Sequence, residues 1–373
     1  MSSDTFCSKP FSSFFYDVDR QIRFCCSMQG SLTSTNVENK IISLHGDLAN
    51  EIRQAIIDGT WHPACSRCKE NEFLLGTSER TQGFPANLKV DASPNNYTML
   101  TADIRWDTVC NLACDYCSSY YSSRWEHHFS DPRTIPIKTH PKQTADNMVF
   151  ELLRSNKETL SNINLLGGEP LLQRQNVQLI NEFQNAAIYI LTNLSVDLSS
   201  NKVADAAQNH PNCSWGVSFE TIGGRFEYVR YGANWNTFVA NLKLLSSRIG
   251  DHRIGAHPIY CAYNALHLCE FYDFIDSSNL FSENGVIWGV IQEDQQHPRL
   301  SLLSFGPKLR VLALDELKKC ISLYEHKYDM SSLRRIYSTL RESSNKEEFV
   351  ERFDTRIPEK LDKFKELFPE LVN

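Results

Sequence analysis

Short apolar runs alternate with amphipathic segments from about residue 98 to residue 292. The runs predict strands, and the segments between them have the apolar spacing of helices. The predicted strands cover 98–106, 162–166, 187–192, 213–220, 253–263 and 285–292, and the predicted helices cover 145–156, 175–185, 201–209, 236–248 and 266–277. This alternation favours a parallel sheet with right-handed crossovers. We therefore expect an α/β fold built on a partial (β/α)6 TIM-like barrel, with its chemistry at the carboxyl ends of the strands.

The residues before this pattern predict a small module of their own. Residues 11–26 predict a β-hairpin with a turn near Asp17–Arg20, and residues 46–58 have the apolar spacing of a helix. Residues 82–97 are rich in turn-forming residues and predict a linker. The hairpin and the helix are therefore expected to stand apart from the barrel.

The residues from about 309 onward predict helices throughout. Leu309, Leu312 and Leu317 fall on one apolar face, and further helices are predicted near 330–342, 345–353 and 358–368. We interpret these helices as a packing cap, with a partner-binding surface as the alternative. The expected domains are an N-terminal module over 1–97, the barrel over 98–300 and a helical extension over 301–373.

Composition narrows the class of protein. An apolar fraction of 41% is ordinary for a globular protein with a core, and a formal net charge of -7 argues against a nucleic-acid-binding surface. No apolar run is long enough to span a bilayer. The first residues lack the basic-then-apolar order of a secretory signal, so we expect a cytoplasmic protein without a membrane partner.

Twelve cysteines are many for a cytoplasmic chain of this length, and most of them are clustered. Clustered cysteines in a reducing compartment indicate metal binding or catalysis. Cys110, Cys114 and Cys117 form a CxxxCxxC motif directly after the first predicted barrel strand. Three thiolates suit an iron–sulfur cluster with one open iron, whereas a structural zinc site takes four ligands. A zinc or disulfide cluster is the alternative.

The motif CNLACDYC at 110–117, with Tyr116 before the last cysteine, resembles the signature of the radical S-adenosylmethionine (SAM) superfamily. The resemblance implies that these three cysteines hold a 4Fe–4S cluster whose open iron binds SAM. One electron would then cleave SAM to methionine and a 5′-deoxyadenosyl radical, which abstracts a hydrogen atom from the substrate. It also implies an external electron donor of the flavodoxin or ferredoxin type.

Further matches to that superfamily follow at successive strand ends. LLGGEPLL ends the second predicted strand, LTN the third and SFE the fourth. By resemblance, the residues that contact SAM are Tyr116, Gly167, Gly168, Glu169, Pro170, Thr192, Asn193, Ser218, Glu220, Arg230 and Asn264. Cys261, in the fifth predicted strand, is a further candidate as a catalytic thiol, with a place in the core as its alternative.

The N-terminal cysteines form a second group. The hairpin that ends in FCC, the helix after it and WHPACSRC together resemble a SPASM/twitch module, which implies an auxiliary 4Fe–4S cluster. The candidate ligands are Cys25, Cys26, Cys65 and Cys68. Because adjacent cysteines rarely bind one cluster without strain, Cys7 or a non-cysteine group is an alternative fourth ligand, and structural zinc is an alternative metal. Glu72 and Arg80 are expected to form hydrogen bonds near this loop.

Function beyond SAM cleavage rests on the resemblance alone. Superfamily members with auxiliary clusters often modify peptides, so we expect modification of a peptide or protein side chain. One alternative is a radical SAM enzyme that acts on a small metabolite such as a nucleotide, a sugar or a cofactor precursor. Another is a non-catalytic scaffold that binds an iron–sulfur cluster or zinc.

Overall fold

The computed structural model describes residues 5–32, 44–82, 92–128, 142–282, 285–290, 300–342 and 360–371. The helices are α1 Lys9–Ser12, α2 Asp47–Ile57, α3 Ser66–Leu75, α4 Glu79–Gln82, α5 Ser123–His128, α6 Lys142–Ser155, α7 Gln175–Glu182, α8 Lys202–Gln208, α9 Gly223–Val229, α10 Trp235–Ile249, α11 Leu268–Ser278, α12 Pro307–Tyr324, α13 Ser331–Glu342 and α14 Lys360–Leu367. The strands are β1 Ser13–Tyr16, β2 Ile22–Arg23, β3 Thr101–Ile104, β4 Ala113–Cys114, β5 Asn162–Leu165, β6 Ala187–Thr192, β7 Cys213–Val217, β8 Arg230–Tyr231, β9 Ile254–Ala256, β10 Ile259–Tyr260 and β11 Gly289–Val290.

The chain divides into two compact units, of which the first comprises residues 1–108, 136–167 and 178–189. In this unit the strands lie side by side in the order β2, β1, β3, β5 and the first half of β6. Strand β1 pairs antiparallel with β2 and parallel with β3, and β3 pairs parallel with β5. The predicted α/β class with a mainly parallel sheet is therefore confirmed.

The N-terminal hairpin is confirmed, but it does not stand apart from the main sheet. Its first strand lies against β3, with Phe15 opposite Asp103. Phe14, Phe15 and Tyr16 are all completely buried. A strand that is buried on both faces is typical of the interior of a parallel sheet. The hairpin thus extends the main sheet and, at the same time, carries the chain into the segment with Cys25 and Cys26.

The second unit comprises residues 109–135, 168–177 and 190–373. In this unit the second half of β6, β7 and β9 lie side by side in that order, and β7 pairs parallel with β9. Two short pairs lie outside this sheet: β4 pairs antiparallel with β8, and β10 pairs parallel with β11. The β4–β8 pair is the one that holds the cysteine loop described below.

Most predicted elements are confirmed, with one informative difference. The strand predicted over 253–263 is two strands, β9 and β10, which are separated at His257 and Pro258. Proline lacks the backbone N–H that a continuous ladder requires, so the strand ends there. The helix predicted over 345–353 and most of the predicted linker lie outside the described residues. Among the helices that the structure describes, none is sufficiently long and apolar to span a membrane.

Candidate functional site

The CxxxCxxC loop is held in the second unit by the short β4–β8 pair. Cys114 lies opposite Arg230 in that pair, and the Cys117 backbone N–H donates to the Cys114 carbonyl over 2.9 Å. Two of the three cysteines are thereby fixed by backbone hydrogen bonds. The same register brings the Arg230 side chain to the loop.

Residues just after the cysteine loop form further hydrogen bonds to it. The Ser122 hydroxyl donates to the Leu112 carbonyl over 2.7 Å, and the Trp125 indole N–H donates to the Cys114 carbonyl over 3.0 Å. The Cys110 backbone N–H donates to the Ser123 hydroxyl over 3.2 Å. Sequence reasoning missed helix α5 and these contacts; the serine pair and the tryptophan directly after the motif were the available signal.

Hydrogen-bond donors point at two of the three cysteine sulfurs. Cys110 Sγ accepts from the Leu112 backbone N–H over 3.5 Å and from Asn193 Nδ2 over 3.7 Å. Cys114 Sγ accepts from Arg230 Nη1 over 3.9 Å. Such N–H···S contacts stabilise thiolate ligands and tune the potential of an iron–sulfur cluster. The environment of the sulfurs therefore suits a thiolate-bound cluster.

Burial favours the protonated thiol at Cys110 and at Cys114. It raises the pKa of Cys110 to about 11, an effect to which Glu169 adds, and it raises the pKa of Cys114 well above its ordinary value. Thiolates are the form that binds iron, so cluster binding here must release protons.

Glu169, from the GGEP motif, connects two strand ends inside the second unit. Its completely buried carboxylate accepts hydrogen bonds from the Thr192 hydroxyl over 2.7 Å, from the Asn193 backbone N–H over 2.8 Å and from the Leu171 N–H over 3.1 Å. Burial raises the pKa of Glu169, and these donors offset only part of that rise. Glu169 thus fixes Asn193, whose side chain reaches Cys110.

The other GGEP residues shape the turn. Gly167 has a φ of 120°, a conformation that strongly favours glycine. Pro170 begins a short 3-10 helix over Pro170–Leu172, which Glu169 caps, and Gly168 precedes that cap. Sequence reasoning missed Asn111, which accepts from Asn193 Nδ2 over 2.9 Å. The asparagine directly after the first cysteine was the available signal.

Tyr116, Glu220 and Arg230 form a second buried network. Glu220 Oε2 accepts from Arg230 Nη2 over 2.7 Å and from the Tyr116 hydroxyl over 3.0 Å. Burial lowers the pKa of Arg230, but Glu220 and Tyr116 outweigh it and raise the pKa above its ordinary value. Burial also raises the pKa of Tyr116 well above its usual range, so its phenol stays a donor. The network runs from Glu220 through Arg230 to the sulfur of Cys114.

Among the residues that the structure describes, two buried atoms of this network find no hydrogen-bond partner: Glu220 Oε1 and Arg230 Nε. A buried polar atom without a partner is costly, and it indicates a place for a ligand group. The carboxylate oxygen suits a donor such as an ammonium or hydroxyl group, and the guanidinium nitrogen suits a carboxylate. SAM carries all three groups, so the residues present fit it.

The remaining residues predicted to contact SAM or to act as a catalytic thiol are not part of these two networks. Ser218 is half-buried, and its backbone N–H donates to the Thr192 carbonyl over 2.9 Å, which places it at the end of β7 beside β6. The Asn264 amide is used within its own turn, where it accepts from the Cys261 N–H and donates to the Ile259 carbonyl. Cys261 is completely buried.

Over the described residues, no group of three or more His, Cys, Asp or Glu side chains is arranged to hold a metal ion.

The first unit contains a cavity lined by four cysteines. It has about 540 Å³ of empty space, part of it open to solvent. Apolar, polar and cationic side chains complete the lining: the cysteines are Cys7, Cys25, Cys65 and Cys68, the apolar residues include Phe24, Ile52, Ile56 and Trp61, the polar residues are Thr5, Ser27, Thr60 and His62, and the cations are Lys9 and Arg80. A set of thiols and cations inside apolar walls suits an anionic iron–sulfur cluster.

Cys26 lies apart from that cavity. Among the described residues that line it, Cys25 is present and Cys26 is not. Burial raises the pKa of Cys26 to about 12, and its strongest charged neighbours are Glu79 and Arg105. The cavity lining thus includes Cys7, the alternative fourth ligand, and does not include Cys26.

Glu72 and Arg80 hold the cavity rim, as expected. The Arg80 guanidinium donates to the two carboxylate oxygens of Glu72 over 2.5 and 2.9 Å. Its remaining nitrogen donates to the Phe6 carbonyl, next to Cys7, over 3.0 Å. This arrangement connects the segment of Cys7 to the helix that carries Cys68.

Comparison with known families agrees with this site. Residues 107–275 match the sequence model of the radical SAM superfamily. This range contains all three cysteines of the loop and the networks of Glu169, Glu220 and Arg230. Over this range the chain is similar to the radical SAM superfamily, a class of enzymes that bind a 4Fe–4S cluster and SAM. A comparison with curated protein sequences found no match.

Solved structures with similar folds include a structure described as native anSMEcpe with bound AdoMet. It is 18% identical, with 61% of this chain and 60% of that chain covered and a TM-score of 0.44. Streptococcus suis SuiB bound to the precursor peptide SuiA is 15% identical, with 74% of this chain and 64% of that chain covered and a TM-score of 0.44. This chain thus spans about three fifths of the length of anSMEcpe.

Proposed function

We propose that this enzyme cleaves SAM reductively at a 4Fe–4S cluster held by Cys110, Cys114 and Cys117, and abstracts a hydrogen atom from a peptide or protein side chain. The observation that carries the first part is the pair of unpartnered atoms on Glu220 and Arg230. Their network ends at the sulfur of Cys114. A ligand that completes it would therefore be held beside the cysteine loop.

A cluster held by Cys110, Cys114 and Cys117 would supply the one-electron reduction of SAM to methionine and a 5′-deoxyadenosyl radical, and the electron would come from an external donor of the flavodoxin or ferredoxin type. The chain's own residues would bind SAM and orient it. Arg230 and Glu220 offer a cation and an anion to the charged groups of SAM. Glu169 holds Asn193 at Cys110, and the Tyr116 phenol keeps Glu220 in place.

We also propose a second 4Fe–4S cluster in the first unit, with Cys7, Cys25, Cys65 and Cys68 as its four ligands. The common cavity supports this set, and it avoids the strain of two adjacent cysteines on one cluster. The Lys9 backbone N–H already forms a hydrogen bond to the Cys7 thiol, which lowers its pKa against the larger effect of burial. A structural zinc ion at the same four thiolates is the alternative.

Peptide or protein substrates are proposed on the strength of the auxiliary module, because superfamily members with such a module often modify peptides. A small metabolite is the second candidate. Anaerobically reconstituted and reduced enzyme is expected to release 5′-deoxyadenosine slowly from SAM alone, and faster with its substrate. Acceleration by a metabolite library but by no peptide encoded near the gene would contradict the peptide proposal, whereas no release under any condition would contradict SAM cleavage.

Iron content separates the proposed ligand sets. We expect about eight irons per reconstituted chain, as two 4Fe–4S clusters require, and about four after Cys7→Ala or Cys68→Ala. Cys26→Ala is the matched control, because its thiol is buried in the same segment but lies outside the cavity. It should keep about eight irons. Iron and zinc are measured by mass spectrometry and the clusters by electron paramagnetic resonance.

The opposite pattern of iron loss would identify a different fourth ligand. If Cys26→Ala loses about four irons while Cys7→Ala keeps them, Cys26 and not Cys7 is the fourth ligand. About four irons together with one zinc in the unmodified chain would replace the auxiliary cluster with a structural zinc site.

A further inference from the structure

Helix α14 forms an ion pair with the cysteine loop. The Lys360 ammonium group donates to Asp115 Oδ1, and Asp115 lies between Cys114 and Cys117. The two residues are separated by 245 positions in the chain. The structure thus connects a distant helix to the loop that carries the proposed SAM cluster.

The ion pair is shielded from solvent. The side chains of Lys360 and Asp115 are 9% and 15% exposed. The Lys360 ammonium lies 4.1 Å from the ring centre of Tyr228, and the Tyr263 hydroxyl donates to the second oxygen of Asp115 over 3.0 Å. Charges in such surroundings are screened little, so each of them acts over several ångströms.

The Asp115 backbone is fixed independently of its side chain. Its N–H donates to the Val229 carbonyl over 2.9 Å, just before the strand that pairs with Cys114. A change in charge at the side chain therefore leaves the register of β4 and β8 in place. Such a change in charge instead alters the electrostatic potential at the neighbouring cysteine sulfurs.

Helix α14 also has anchors other than Lys360. Phe368 packs against Tyr228 and Tyr263, with ring centres 5.3 and 5.1 Å apart. The Arg225 guanidinium donates to the Leu367 carbonyl over 3.0 Å, and Glu370, just beyond the helix, contacts a ring nitrogen of His267 over 2.7 Å. The helix can thus remain in place when the ammonium group is removed.

We propose that Lys360 is a positioning residue that neutralises Asp115 and so makes the proposed SAM cluster easier to reduce. This inference rests on the proposed cluster at Cys110, Cys114 and Cys117. Such a cluster is anionic and becomes more so on reduction, and net charge near a cluster is one determinant of its potential. An unpaired carboxylate inside the cysteine loop would oppose the added electron, and the paired lysine removes that opposition.

The test compares midpoint potentials of the loaded SAM cluster by redox titration with electron paramagnetic resonance. Lys360→Met should shift the potential to a more negative value, while Asp115→Asn, which keeps a side chain that can bond to Tyr263, should shift it to a more positive one. The double variant Lys360→Met/Asp115→Asn should return close to the unmodified potential. Lys360→Arg should keep the potential, because it keeps the charge.

Lys363→Met is the matched control, since Lys363 is exposed on the same helix. A role of Lys360 in stability alone predicts no shift of the potential, and equal potentials in Lys360→Met, Asp115→Asn and the unmodified chain would overturn the inference. If Lys360→Met does not fold, Asp115→Asn decides the question by itself. Failure of the unmodified chain to load a cluster would instead contradict the proposed function.

Discussion

Replacing Cys114 with alanine is expected to lower the release of 5′-deoxyadenosine from SAM by more than about a hundredfold. Loss of a partner one step away from a metal ligand already costs about 10- to 100-fold, and Cys114 is proposed as a ligand itself. Its sulfur also receives the Arg230 contact. The product is measured by liquid chromatography after anaerobic reconstitution and chemical reduction, with the iron content of the same sample.

Cys213→Ala is the control for this variant. Cys213 is also a buried cysteine of the second unit, but it lies in β7 and is not part of the networks around the cysteine loop. We expect it to lose about 1 kcal/mol of stability, as for a small cavity, and to keep SAM cleavage. Equal product from Cys114→Ala and from the unmodified chain would exclude the cysteine loop as the place of cleavage.

The local pattern of apolar and polar residues was sufficient to predict much of the fold. Strand β6 has the predicted bounds, Ala187–Thr192, because its residues alternate cleanly between buried and half-buried positions. Helix α2 matches closely, because its buried residues Ala49, Ile52 and Ile56 follow the helical repeat. In both elements, neighbouring residues in the sequence determine which face is buried.

Pairing between distant segments was not predictable in this way. The hairpin strand β1 joins β3 across about 85 residues, and nothing in either strand encodes its partner. Arg53 has the appearance of a polar position on helix α2, yet it is completely buried and donates to the carbonyls of Pro10, Leu44 and Pro94. Those acceptors lie in separate segments, Pro10 in helix α1 and Leu44 and Pro94 outside the helices and strands, and the sequence of helix α2 does not encode them.

The candidate site shows the same division. The cysteine spacing and the strand-end motifs are local, and they were sufficient to propose the residues of the site. Cys7, which lines the cavity, was named from the sequence as an alternative ligand. The sequence did not predict that Glu169 would have three donors from its own chain or that Lys360 would pair with Asp115. Each of these contacts depends on how separate segments pack.

Arg230→Met is expected to lower the free energy of unfolding by about 3–5 kcal/mol, because it leaves a buried charge without its partner. Arg230 and Glu220 have side chains that are 4% and 0% exposed. After the substitution, Glu220 would keep only the Tyr116 hydroxyl on Oε2. The measurement is equilibrium denaturation in urea, and Arg248→Met, at an exposed ion pair with Asp205, should change stability by less than about 1 kcal/mol.

The double variant Arg230→Met/Glu220→Leu separates stability from chemistry. Removing both charges leaves no unpaired buried ion, so most of the lost stability should return. SAM cleavage should not return, because the atoms proposed to meet the charged groups of SAM are gone and Cys114 has lost its donor. A double variant that folds and cleaves SAM as fast as the unmodified enzyme would show that this pair only supports the fold, and SAM would then have to be held by other residues.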